Sequence, residues 1–189
     1  MAEIVLFHHI QGLTPGVVVF AEKLRGFGHT VHTPDLFESR TFASIDEGLE
    51  YAKQVSFDEL MHRAVATVEA LPNELVYAGF SMGVMPSQRL AQTREGARGA
   101  LLFHAAVSPE LFGGWPVAVP VQIHSMDADP YFEEDDRAAA NAIVAQAERG
   151  ELFLYSGDQH LFTDDSLDAY DADAAALLLE RTKTFLADL

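Results

Sequence analysis

The chain has 189 residues, 49% hydrophobic and 22% charged, a globular balance that supports one sizeable core, so residues 1–189 are read as one domain. Twenty-nine acidic against twelve basic residues give a net charge of −17, which repels nucleic acid and anionic lipid and disfavours a strongly anionic substrate. The absence of cysteine excludes disulfides, thiolate metal sites and a cysteine nucleophile.

Glu3 to Phe7 (EIVLF) reads as a short apolar strand. Glu3 also stands where a signal peptide carries basic residues, and no apolar run is long enough to span a membrane, so a cytosolic protein is expected. Pro15 to Gly26 has helical spacing, with proline suited to the first turn and glycine to the end. A second strand is predicted over His29 to Val31, closing at Thr33-Pro34-Asp35. Leu36 to Val55 is the least regular stretch and reads as surface loop and short helix. Phe57 to Leu71 is an amphipathic helix capped by Ser56, with Glu59 three residues on. A strand ending at Gly79 follows, then a helix over 83–95 and a strand from Ala100 to Phe103. The remainder reads as a strand over Pro120 to His124, a helix over 132–148, a strand over Glu151 to Tyr155 and a helix from Tyr170 to Leu186. Strands that are continuous apolar runs, alternating with helices, predict a mostly parallel sheet of about six strands with helices on both faces.

Residues 79–83 read Gly-Phe-Ser-Met-Gly between a strand and a helix, the setting of a nucleophile elbow. Such a turn crowds its flanks, so positions 79 and 83 need glycine, and the helix start after Ser81 offers free N–H groups to an oxyanion. Ligands of a parallel sheet bind beyond the carboxyl ends of its strands. There the chain places His8 and His9, Ser81, His104, His124 with Asp127 and Asp129, and Asp158 with His160. A hydrolytic serine needs a base, and that base needs a carboxylate to fix its tautomer. The order Ser81, then Asp127 or Asp129, then His160 matches the nucleophile–acid–histidine order of the α/β-hydrolase fold, with Asp158 a more distant rival for the acid.

These residues resemble the dienelactone hydrolase family over nearly the whole length. The resemblance rests on Phe7-His8-His9-Ile10-Gln11-Gly12, Pro34-Asp35-Leu36-Phe37, Gly79-Phe80-Ser81-Met82-Gly83, Val119 to His124 leading to Asp129-Pro130, and Gly157-Asp158-Gln159-His160-Leu161-Phe162. It implies Ser81 as nucleophile, Asp129 as acid, His160 as base and oxyanion donors at the backbone N–H of Met82 and Ile10. The sequence departs from well-known members, which carry cysteine at the nucleophile and a glutamate in the loop after the first strand, where this chain has Ser81 and His9. Members that open dienelactones bind the substrate carboxylate with arginines; shortly after His160 this chain has Asp164 and Asp165 instead.

The expected activity is that of a carboxylic-ester hydrolase cleaving a small ester or lactone through an acyl-enzyme, with no cofactor and no metal. His9 and Phe37 are expected to line the substrate pocket, with Phe42, Tyr51, Trp115 and Tyr131 as further candidate walls. Two other classes remain: a metal-dependent hydrolase using the strand-end histidines and aspartates, and a non-catalytic binder on a hydrolase scaffold.

Overall fold

The computed structural model describes residues 1–189. Its elements, in chain order, are β1 (Glu3–Phe7), α1 (Pro15–Gly26), β2 (Thr30–His32), α2 (Ile45–Val55), α3 (Phe57–Val68), β3 (Val76–Phe80) and α4 (Val84–Thr93). After these come β4 (Gly99–Phe103), β5 (Val121–Met126), α5 (Glu134–Gln146), β6 (Gly150–Tyr155) and α6 (Ala172–Ala187). The six strands form one fully parallel sheet in the order β2-β1-β3-β4-β5-β6.

The topology follows from crossover handedness. The chain steps from β1 to β2 in one direction, returns over β1 to β3, and continues outward to β6. Right-handed crossovers made in opposite directions put their helices on opposite faces. Accordingly α1 and α6 pack one face through Val17, Phe20, Leu24, Leu178 and Phe185. The other face carries α2 to α5 through Tyr51, Leu60, Val84 and Ile143. The strands feed both cores by alternation: Val5, Phe7 and Tyr77 point to one, and Ile4, Leu6 and Val76 to the other. Burial on both faces is why these strands read as unbroken apolar runs. No helix is long and apolar enough to cross a membrane.

Most element ends differ from the sequence reading by a residue or two, and three differences have an identifiable cause. The second strand is shifted to 30–32, because His29 accepts the Ala2 N–H on its ring and Thr30 opens the ladder. The third helix stops at Val68, short of Pro72, since residues before a proline avoid helical backbone. Residues 45–55 form an eleven-residue helix, capped by Ser44, whose Oγ accepts from Glu47 N. Ser56, at φ +80°, ends this helix and caps the next, accepting from Glu59 N at 3.2 Å as its spacing predicts.

The reversal between β1 and β3 opens a crevice at the carboxyl edge of the sheet. The loop after β1 and the turn after β3 face each other there.

Candidate active site

Ser81 sits at the top of β3 with φ +48°, in the left-handed region that a non-glycine residue rarely adopts. Close packing holds it there. A Cβ on Gly79 would overlap the Gly83 carbonyl, and one on Gly83 would lie 2.5 Å from Phe7 O and 2.7 Å from His8 O. The elbow is thus pressed directly against the end of β1, which only glycine permits. Ser87 Oγ donates to Gly83 O at 2.7 Å and secures the start of α4.

Asp129, nearly buried beyond β5, has both oxygens engaged. Oδ1 accepts from Tyr131 N at 2.8 Å; Oδ2 accepts from His160 Nδ1 at 2.7 Å and from Ser125 Oγ at 3.4 Å. A carboxylate only accepts, so Nδ1 carries the proton and Nε2 is left as an acceptor. Ser81 Oγ lies 2.8 Å from that Nε2. A serine hydroxyl bonded to an imidazole that a carboxylate anchors is the arrangement in which serine can lose its proton as it attacks a carbonyl. The rival carboxylates lie elsewhere. Asp127 is exposed and accepts the Gly157 N–H at 3.0 Å, and Asp158 is exposed beside Gln159.

Around this series the backbone is strained again. His104 (φ +70°) and Leu161 (φ +46°) join Ser81 among the six non-glycine residues of positive φ, so half of them meet at His160. Tyr131, half exposed, tilts over the His160 ring at 4.7 Å, and the His104 ring approaches its edge at 5.8 Å. Ile10 N–H, in the loop facing the elbow, donates to no protein acceptor. Met82 follows Ser81 directly, in a 3₁₀ turn that spans Ser81–Gly83.

His9 and Phe37 are not in this crevice. The His9 ring is 1% exposed: Nδ1 accepts from Gln11 N, and Nε2 lies 2.8 Å from Asp164 Oδ2. Phe37 is fully buried, edge-on to His8, Phe42 and Tyr51. Both are corrected to interior residues: His9 is drawn in by a buried carboxylate, Phe37 by an aromatic cluster. Trp115 is also core, its Nε1 donating to Val119 O at 2.8 Å. Of the aromatics singled out in the sequence, Tyr131 alone touches His160.

Asp164, the partner of His9, escaped the sequence reading as a structural residue. It accepts from His9, from Ser166 N and Oγ at 2.9 and 2.6 Å, and from Thr14 Oγ1 at the N-cap of α1. Burial alone would raise its pKa, but the hydrogen bonds from His9, Ser166 and Thr14 together hold it down at about 2. No local pattern announces a partner 155 residues away.

Of the other strand-end histidines, His8 and His124 have both ring nitrogens bonded, whereas buried His104 bonds through Nε2 alone and its Nδ1 has no partner. His8 donates from Nδ1 to His9 O and accepts from Leu36 N on Nε2. His124 bonds Tyr155 Oη and Gln122 Oε1, and His104 Nε2 bonds Thr163 Oγ1 at 2.8 Å. Burial lowers His8 to about 4 and His124 to about 3, and holds His104 well below the ordinary histidine value. No three His, Asp or Glu side chains converge as a metal cage would require.

A parallel sheet of this order, with a glycine-flanked serine elbow on β3 and a histidine beyond β6, defines an α/β-hydrolase. Among solved structures the chain is similar to a dienelactone hydrolase-like promiscuous phosphotriesterase from metagenomic libraries, at 20% identity and a TM-score of 0.80, covering 100% of this chain and 87% of that one. It is similar also to a dienelactone hydrolase from Anabaena variabilis (17%, TM-score 0.69, 99% and 86% covered) and to a thioesterase of the prodiginine pathway of Streptomyces coelicolor (14%, TM-score 0.58, 97% and 85%). No protein of curated function matches the sequence. The model of the dienelactone hydrolase family matches residues 1–189, and the chain belongs to that family.

Proposed function

We propose that this hydrolase cleaves small carboxylic esters or lactones through a Ser81 acyl-enzyme. The observation that carries the reading is the unbroken series from Asp129 through His160 to Ser81, at 2.7 and 2.8 Å. In the proposed reaction His160 Nε2 takes the Ser81 proton as Oγ attacks the substrate carbonyl. Asp129 holds the imidazole in the required tautomer and stabilises the imidazolium. The Met82 and Ile10 N–H groups stabilise the tetrahedral oxyanion, each such donor being worth about 3 kcal/mol. Collapse expels the alcohol, which takes its proton from His160. Water, deprotonated by the same nitrogen, then releases the acid and restores the serine.

The test is a set of p-nitrophenyl esters of graded acyl length, assayed with the wild type, Ser81→Ala, His160→Ala and the double variant. Each single variant is expected to lose most turnover while keeping its fold, and the double to be little worse, because the residues act as a unit. A fluorophosphonate is expected to label Ser81, which a non-catalytic binder would not permit, and a chelator to leave the rate unchanged, which a metal-dependent hydrolase would not. Turnover in Ser81→Ala close to wild type would overturn the reading.

A further inference from the structure

Next to Ser81 lies a narrow apolar cleft that the proton-transfer series does not use. One wall is Leu36, from the loop after β2, with Phe57, Leu60 and Met61 from the first turns of α3. The opposite wall is Met82 and Met85, from the elbow and the first turn of α4. No charged side chain lines it. Its volume is about 40 Å³; at roughly 10–15 Å³ for each water-sized group, it admits about three methylenes in file. Methionine side chains are flexible and polarizable, so walls built from them adapt to a thin chain.

Position decides which half of an ester would enter. His160 reaches Ser81 from beyond β6, on one flank of β3. The cleft lies on the other flank, under residues that follow β2 and connect it to β3. The leaving alcohol must stay beside His160 to receive its proton, so the group retained on the serine extends away from it. Met82 links the two regions: its N–H is the oxyanion donor of the reading above, and its side chain walls the cleft. A chain leaving the carbonyl carbon therefore begins where the cleft begins.

We propose that this cleft is the acyl subsite and that it takes a neutral, straight-chain acyl group of about four or five carbons. The inference rests on the acyl-enzyme reading. The experiment measures kcat/KM for p-nitrophenyl acetate, butanoate, hexanoate and octanoate, beside acetate esters of alcohols of matched lengths. Along the acyl series the value is expected to rise about fourfold per methylene up to the filled length and then to fall. Along the alcohol series it is expected to stay flat. Met85→Trp, which narrows the cleft, is expected to lower the butanoate-to-acetate ratio about tenfold; Met85→Ala is expected to move the optimum to longer chains. Met61→Trp, on the half-exposed opposite wall, gives the same reading should Met85→Trp not fold. Ser81-dependent hydrolysis with a flat acyl profile, with a profile that neither substitution moves, or with selectivity for alcohol length would overturn the acyl subsite alone. No Ser81-dependent hydrolysis of any ester would overturn the hydrolase reading and this inference with it.

Discussion

Replacing Asp129 by asparagine changes one atom and tests the proposed proton path at its root. The side chain must keep an acceptor toward the Tyr131 N–H, which Oδ1 meets at 2.8 Å. The new amide nitrogen therefore falls where Oδ2 stood, 2.7 Å from His160 Nδ1. An NH₂ group donates, so Nδ1 must become the acceptor and the ring proton moves to Nε2. There it faces Ser81 Oγ at 2.8 Å as a donor and can no longer take the serine proton. The expected loss is about 10⁴ in kcat, or about 5.4 kcal/mol on the barrier, with KM changed by no more than about threefold. Steady-state kinetics on p-nitrophenyl acetate measures it, with a thermal melt to verify the fold. Asp127→Asn is the control: asparagine can still accept the Gly157 N–H there, so near-normal turnover is expected. An Asp129→Asn rate within tenfold of wild type would refute the tautomer argument; a collapse in Asp127→Asn instead would show that the other carboxylate orients the base.

Further outcomes are expected. Burial lowers the pKa of His8, His104 and His124 below the unfolded value near 6.5, so the unfolded chain binds more protons and acid favours it. Stability measured by urea midpoints should therefore fall as pH drops below about 6.5, by up to about 1.4 kcal/mol per pH unit for each histidine until its folded pKa is reached; a flat curve between pH 7 and 5 would contradict their burial. Asp164 has a depressed folded pKa of about 2, so its contribution, on the order of 2 kcal/mol, is present above about pH 4 and lost between 4 and 2; Asp164→Asn should lack that step. Gly79→Ala drives a methyl into the Gly83 carbonyl and should cost at least about 2 kcal/mol in unfolding free energy, whereas Gly26→Ala, with nothing within 4 Å, should be neutral or slightly stabilising. Asp164 is turned inward to His9, Lys23 is paired with Asp165 at 3.8 Å, and Arg40 is set over the Tyr51 ring, so the segment after His160 offers carboxylates and no arginine to a substrate carboxylate. A neutral methyl ester should thus surpass its free-acid analogue in kcat/KM; a preference for the anion that disappears in Arg40→Ala would reverse this.

The sheet was legible because burial on both faces writes each strand as an apolar run, and the elbow because its two glycines are demanded by backbone contacts. That Ser81, His160 and a carboxylate beyond β5 share one edge was legible for a related reason: strand ends in a parallel sheet lie together, so chain order constrains which residues can meet, though it left Asp127 and Asp129 as alternatives. Side-chain direction within that edge was not. His9 and Ile10 are neighbours in the same loop, yet the His9 ring turns inward to Asp164 while the Ile10 N–H stays unengaged. That choice is made by a carboxylate far along the chain. Phe37 likewise follows Tyr51 and Phe42 into the core, a contact visible only once α2 is packed. The helix itself was signalled by Ser44 and Glu47, whose spacing is that of a capping box.

The serine is completed by distant stretches of chain: 79 residues separate it from His160, while 155 separate His9 from Asp164. Helices form within a microsecond or so, whereas contacts of such sequence separation are slow to close. On the mechanism proposed above, ellipticity in a refolding experiment would recover well before Ser81 regained reactivity toward a fluorophosphonate. Covalent labelling thus timestamps the docking of the last strand, and a single hydroxyl becomes a clock for the folding of the whole sheet.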